Sequence, residues 1–187
     1  MFWLSVAIGQ SEAGQHIPSD ERGDPNYRRD TNIDINRVRA TVFNYGITGR
    51  TEANPSQYPF EWPVNSGKMY IAMTALAVGA EVANEDLTDK PLVTIPLRTD
   101  ESGIFSKAWE PVPSYLNPNS EELPTSDDED TWPIEWPDKM GDEADPGWAG
   151  SWNGYFGKNQ FNAEQEIYYK ISDDRNFESG YIYVPDT

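Results

Sequence analysis

Carboxylates and tryptophans are the residues of this chain best suited to chemistry: 32 Asp and Glu and seven Trp among 187 residues, with one histidine and no cysteine. Two matching segments, Pro59-Phe60-Glu61-Trp62-Pro63 and Pro133-Ile134-Glu135-Trp136-Pro137, each set a glutamate beside an indole. Two carboxylates flanking a sugar platform are the minimum for glycoside hydrolysis. In so acidic a chain such pairs also arise by chance. The flanking prolines hold the backbone extended and mount each indole rigidly, which suits two aromatic plugs in a core. A second concentration, Asp145 to Gly157 (DPGWAGSWNGYFG), places Trp148, Trp152 and Tyr155 among glycines. Exposed there, those rings would form a carbohydrate-binding surface. Third, Asp127, Asp128, Asp130, Asp138, Asp142 and Asp145 offer the hard oxygen donors that Ca2+ takes in sets of roughly six to eight. They lack EF-hand spacing, and a solvated acidic loop is the simpler reading.

Several functions fall away at once. His16 is the single histidine and lies in a stretch that reads as a tail, so neither a multi-histidine metal centre nor a serine triad is expected. Without cysteine there are no disulfides, thiolate zinc sites, iron–sulfur clusters or cysteine nucleophiles. Gly147, Gly150, Gly154 and Gly157 alternate with aromatics instead of forming a phosphate loop. A net charge of −18 argues against nucleic acid or an anionic membrane as partner. No apolar run approaches the roughly 20 residues that span a bilayer. A non-catalytic structural or binding role is expected, with a carbohydrate-binding module or a fragment of a polysaccharide-active enzyme as the alternative.

The elements that must position these residues read mostly as strands. Arg37–Tyr45 (RVRATVFNY) alternates, with Val38, Ala40 and Val42 on one side and Arg37, Arg39 and Thr41 on the other. Met69, Ile71 and Met73 share one face of a second strand, and Val78, Ala80 and Val82 one face of a third. A buried helix over Tyr70–Ala83 is the competing assignment, disfavoured by Gly79 and the β-branched residues. Val93, Ile95 and Leu97 form a fourth strand, which Pro91 and Pro96 place at an edge. Ile167, Tyr169 and Ile171 alternate in a late strand, and Tyr181–Val184 is the last. Between Phe105 and Phe161 there is almost no periodicity, and tryptophan–proline packing on the sheet is expected to order that segment. The fold class expected is mainly β: an antiparallel, sandwich-like domain with a long Trp/Pro-rich irregular segment and little helix.

Charge is unevenly spread. Arg22, Arg28, Arg29, Arg37, Arg39 and Arg50 crowd one end, whereas Ser120–Asp145 is strongly acidic. The two segments are expected to attract one another, within a chain or between copies.

The run Phe2–Gly9 (FWLSVAIG) reads either as the end of a secretory signal, with Ala7-Ile8-Gly9 as its cleavage tripeptide, or as an ordinary apolar strand. The motifs DPGWAGSWNGYFG, RVRATVFNYG (37–46) and VGAEV (78–82) together resemble the N-terminal region of large, uncharacterised exported multidomain proteins of environmental bacteria, some of them type IX-secreted. That resemblance covers roughly residues 30 to 187. It implies export to the medium or cell surface, a β-rich fold and a longer chain, and it assigns no catalytic residue. The organisation expected is a signal remnant at 1–10, a polar extension at 11–36 and one β-rich domain at 37–187, truncated on its C-terminal side. Its partners would be the remainder of its own chain, a glycan, or a second copy joined by strand addition at the Tyr181–Val184 edge.

Overall fold

The computed structural model describes residues 5–8, 23–49, 54–83, 89–99, 105–107, 109–134 and 150–171. In chain order its strands are β1 (Ser5–Ile8), β2 (Asp30–Ile33), β3 (Ala40–Phe43), β4 (Ile47–Gly49), β5 (Phe60–Glu61) and β6 (Met69–Ile71). They continue with β7 (Met73–Ala75), β8 (Val78–Ala83), β9 (Asp89–Thr94), β10 (Leu97–Thr99), β11 (Phe105–Lys107) and β12 (Tyr168–Ile171). Helix among the described residues is confined to single turns, including α1 (Gly154–Gly157). The fold is mainly β with antiparallel sheets, as the alternating sequence requires. One pair departs from that rule: β1 runs parallel to β12, with Ser5 opposite Tyr168 and Ile8 opposite Ile171. The structure thus uses Ser5–Ile8 as a strand.

The central sheet has the order β2-β3-β4-β7. β2 and β3 pair from Asp30↔Phe43 to Ile33↔Ala40, so the sheet takes in residues that the sequence assigned to a polar extension. Asn44 and Gly46 turn the chain into β4, Gly46 at φ 82° and with its N–H on the Phe43 carbonyl. Two apolar clusters form around this sheet. Ile33, Val42 and Tyr169 pack together with Leu76 and Ile167. Phe43, Tyr45 and Ile47 pack with Leu97 and Trp109. Val42 and Phe43 are consecutive and point to opposite faces, so both faces of β3 are covered. That is why every residue from Ala40 to Phe43 is buried. Of the expected polar face of Arg37, Arg39 and Thr41, Arg37 is exposed, whereas Arg39 is partly and Thr41 wholly buried. Thr41 is fully buried, its hydroxyl donating to Asn32 Oδ1 and accepting the Tyr58 N–H.

β4 and β5 lie end to end along the same side of β3. β4 pairs with β3 at Val42↔Thr48, whereas Tyr58 and Glu61 bond to Thr41 and Arg39 further along. The chain then turns and runs back as β6 and β7, which pair with β5 and β4 respectively. Met69–Ala75 is therefore one outer strand, interrupted at Ala72, laid against two inner pieces. At the break Gly49 has φ +110°, and a Cβ there would meet the Ala72 carbonyl oxygen at 2.5 Å. Only glycine combines that backbone angle with so close an approach. The sequence placed Met69, Ile71 and Met73 on one face of a single strand; they lie in two pieces, paired to different neighbours.

β8 and β9 form a hairpin from Val78↔Thr94 to Ala83↔Asp89. Pro91 lies in β9, which pairs with β8 alone among the described strands, in keeping with the edge position its missing N–H demands. β10 and β11 make a further hairpin. The described parts of 105–161 contain short 3₁₀ turns at Pro113–Tyr115 and Glu129–Thr131, the second capped by the Asp128 carboxylate on the Asp130 N–H. Their order comes from cross-ties: Ser126 donates its N–H to the Glu166 carbonyl, and the Trp132 indole N–H reaches the Thr125 carbonyl at 2.6 Å.

Gly49→Ala tests the strand junction. Forcing a Cβ into the left-handed region against the Ala72 carbonyl is expected to cost about 1–3 kcal/mol, read as a lower midpoint in urea with an unchanged slope.

Candidate functional site

Glu61 is the most heavily engaged carboxylate at the Trp62 end of the sheet. One oxygen, Oε2, accepts from Arg39 Nη2 at 2.7 Å and Nε at 3.0 Å. The other, Oε1, accepts the Gly67 N–H at 2.7 Å. The backbones of Arg39 and Glu61 exchange both hydrogen bonds, at 3.0 and 2.9 Å. The Arg39 guanidinium in turn lies over the Tyr58 ring, 3.6 Å from its centre. The Gly67 N–H, together with Arg39, holds the Glu61 carboxyl below the usual glutamate range, against the opposing effect of burial. A carboxylate committed in this way is poorly placed for proton transfer, since catalysis wants a pKa near the working pH. The Glu61 half of the imagined Glu61/Glu135 pair is therefore a clamp. Glu135 and Trp136 lie outside the described residues.

What the clamp holds out is apolar. Trp62, Met69, Tyr70, Ile71 and Met73 are between 39 % and 64 % exposed. Trp62 and Tyr70 meet edge to face with ring centres 6.0 Å apart. The turn between them is tied by Trp62 N–H to the Lys68 carbonyl and Val64 N–H to the Arg37 carbonyl. Trp62 is thus no core plug, contrary to the reading of its flanking prolines: the same rigid mount presents the ring outward. All six residues of β6 and β7 are exposed. So many large apolar side chains exposed along one strand and the turn before it mark an interaction site more often than a chance feature.

The residues that the sequence nominated for ligand binding fare differently. Trp152 is 2 % exposed, packed against Phe161 and edge-on to Tyr168 at 6.1 Å. It does not present a face to a sugar as expected, because Ser151 and Asn153 turn the chain inward: the Ser151 hydroxyl accepts the Asn153 and Gly154 N–H groups. Tyr155 lies in α1, and Trp148 lies outside the described residues. Of the six aspartates proposed for Ca2+, Asp127 accepts from Gln165 Nε2, Asp128 caps the Glu129–Thr131 turn, and Asp130 is exposed. Among the described residues no three carboxylates converge on a common point. Asp138, Asp142 and Asp145 lie outside them.

A shallow open cleft of about 490 Å³ does gather polar groups near this segment, lined by Asn117, Asn119, Glu129, Asp130, Trp132 and Gly150 among others. Asn117 is partly spent on structure, donating its side-chain amide to the Asp130 carbonyl and accepting the Asn119 N–H. Of the stretches expected to attract one another, Arg22, Arg50 and residues 135–145 lie outside the described residues. Arg39 pairs with Glu61 and Arg28 with Glu110, both outside the acidic stretch. Among the described residues Arg29 donates to the Asn117 carbonyl, just before the acidic stretch, and the Thr31 hydroxyl reaches Glu122 within it at 3.4 Å. No helix among the described residues is long and apolar enough to cross a membrane.

Compared with known proteins, the chain matches no protein-family model, no curated protein and no solved structure.

Two substitutions check this description. Trp152→Ala should cost about 3–5 kcal/mol, as for other buried aromatics. Trp152→Phe should cost far less, because the indole N–H has no hydrogen-bond partner to lose. A surface sugar platform would show neither effect in thermal melts. Glu61 supplies a pH signature. Its folded pKa lies below its unfolded one, so its stabilisation is complete above the unfolded value, about 4.3, and fades as pH falls through the folded value. Asp30 is shifted upward by burial and acts with the opposite sign. The measurement is therefore the difference between wild type and Glu61→Gln: a gap in urea midpoint at pH 7 that narrows below pH ~4.

Proposed function

We propose that this chain is a non-catalytic module of a larger secreted or cell-surface protein, and that its role is binding. The observation that carries the reading is the exposure of Met69, Tyr70, Ile71 and Met73 on the outer strand of a sheet, with Trp62 exposed at the turn that leads into it. The Arg39–Glu61 pair behind that surface serves to hold it there. Exposed aromatic and methionine side chains on a rigid mount are the composition of a protein-contact surface. Export is supported by the resemblance of residues 30–187 to exported multidomain proteins, and by an acidic composition suited to an extracellular medium.

The cleft beside Trp132 favours a second reading, carbohydrate binding. Asn117, Asn119, Glu129 and Asp130 supply polar groups of the kind that orient a sugar, and Trp132 an aromatic edge. The Trp62–Tyr70 pair serves that reading poorly, because rings inclined by 65° do not stack on successive sugars of one chain.

Oxidative footprinting separates these readings. Met69 and Met73 should form sulfoxide readily in the dilute purified chain and be protected in the cells that make it. Equal oxidation in both settings would overturn the protein-contact reading. A saturable fluorescence change with neutral or acidic oligosaccharides, abolished by Asn119→Ala and retained in Trp62→Ala, would establish the carbohydrate one.

A further inference from the structure

We infer that Met69–Ala75 is where two copies of this chain pair, edge to edge and antiparallel, about a two-fold axis through Ala72. The inference rests on the reading of this strand as the interaction surface and names its occupant. Among the described strands β6 pairs only with β5 and β7 only with β4, so the outer side of both carries main-chain N–H and C=O groups without a strand partner. Natural edges are normally shielded by charge, proline, bulges or shortness. Between Met69 and Ala75 (MYIAMTA) there is no charge and no proline.

The strand is complementary to itself. Antiparallel pairing centred on Ala72 sets Met69 against Ala75, Tyr70 against Thr74 and Ile71 against Met73. Every cross-strand pair is apolar or neutral, the kind that stabilises a ladder, and none opposes like charges. An isologous contact of this form closes as a dimer and does not propagate. It would join two central sheets into one continuous sheet.

Charge selects the same occupant. With a net charge of −18, two copies repel one another over most of their surface. Residues 54–79 hold a single acid, Glu61, and a single base, Lys68, and the acid is already paired with Arg39. Copies that meet here meet where repulsion is least. A basic partner would instead be drawn to the exposed acids from Glu121 to Asp130. The contact is short of the roughly 20–30 residues a side of a standard interface, so the dimer is weak and concentration-dependent. Salt should strengthen it, by screening the repulsion between the two acidic bodies.

Sedimentation of the intact chain over a wide concentration range, at low and high salt, tests this. The expected result is a monomer–dimer equilibrium that shifts toward dimer as salt rises. Ile71→Lys, at an exposed position, should weaken it at least tenfold while leaving the urea midpoint unchanged, and Ile71→Val should retain it. Should Ile71→Lys fail to fold, Thr74→Lys makes the same test opposite Tyr70. A chain that stays monomeric throughout, a dimer indifferent to the lysine variant, or one that weakens with salt would each overturn the inference. Monomer in solution, with Met69 and Met73 still protected in the producing cells, refutes self-pairing and leaves the contact-surface reading standing. Loss of both refutes the two together.

Discussion

The carboxylate of Glu61 is the constraint on which the exposed half of the sheet depends. Its two oxygens face different ways: one to the Arg39 guanidinium on the strand before it, the other to the Gly67 N–H across the turn. A single side chain therefore fixes the distance from the central strand to the hairpin tip. Trp62, next in the chain, inherits its position from that geometry, and so does Lys68, whose carbonyl takes the Trp62 N–H. Placing a charge this deep costs solvation that only multiple hydrogen bonds can offset. Here the acceptor is filled from three donors, and the guanidinium is further covered by Tyr58. The arrangement is economical: one buried acid gives register, turn geometry and the aim of an indole.

The opposite half depends on apolar contact. Val42 and Phe43 anchor clusters on the two faces of β3, and Tyr169 joins them by donating its hydroxyl to the Phe43 carbonyl at 2.7 Å. Burial pushes the Tyr169 phenol well above its ordinary range, which favours the protonated form that donates this bond. Residue 169 and residue 43 are distant in sequence. Their contact is what brings the late strand β12, and β1 with it, to the central sheet.

Much of the fold class was legible in the sequence. Alternation in Val78–Val82 and Ile167–Ile171, Gly46 after a strand, and Pro91 in an edge strand are local signals that correspond to observed elements. The strand expected through Val93, Ile95 and Leu97 is instead broken at Ile95-Pro96 into β9 and β10. What local pattern does not carry is which face meets water. Thr41 and Arg39 read as solvent-facing because hydroxyl and guanidinium prefer water; long-range partners, Tyr58 and Glu61, reverse that preference. Met69–Ala75 presents the converse case: an uncharged apolar strand is ordinarily core, and nothing in its own residues announces exposure. The prolines around Trp62 suit a core plug as well as an outward display, and the exposed ring shows the second. For Trp152 the glycines suggested an open loop, whereas Ser151 and Asn153, two residues with strong local hydrogen-bonding habits, fold the ring inward. Of the nominated metal ligands, Asp128 was spent on a turn cap, a use that its position just before a 3₁₀ turn could have signalled.

The end-to-end placement of β4 and β5 has a consequence for how this architecture can change. Both pieces are registered independently against β3, one through Thr48 and the other through Tyr58 and Glu61. The described part of the connection, 54–57, belongs to no strand. Lengthening it adds only a loop-closure entropy that grows with the logarithm of loop size. A protein built this way carries a natural splice point between two pieces of sheet, where a longer connection can be accepted without shifting a strand. Diversity there would change the connection while the ladders on either side of it stay as they are.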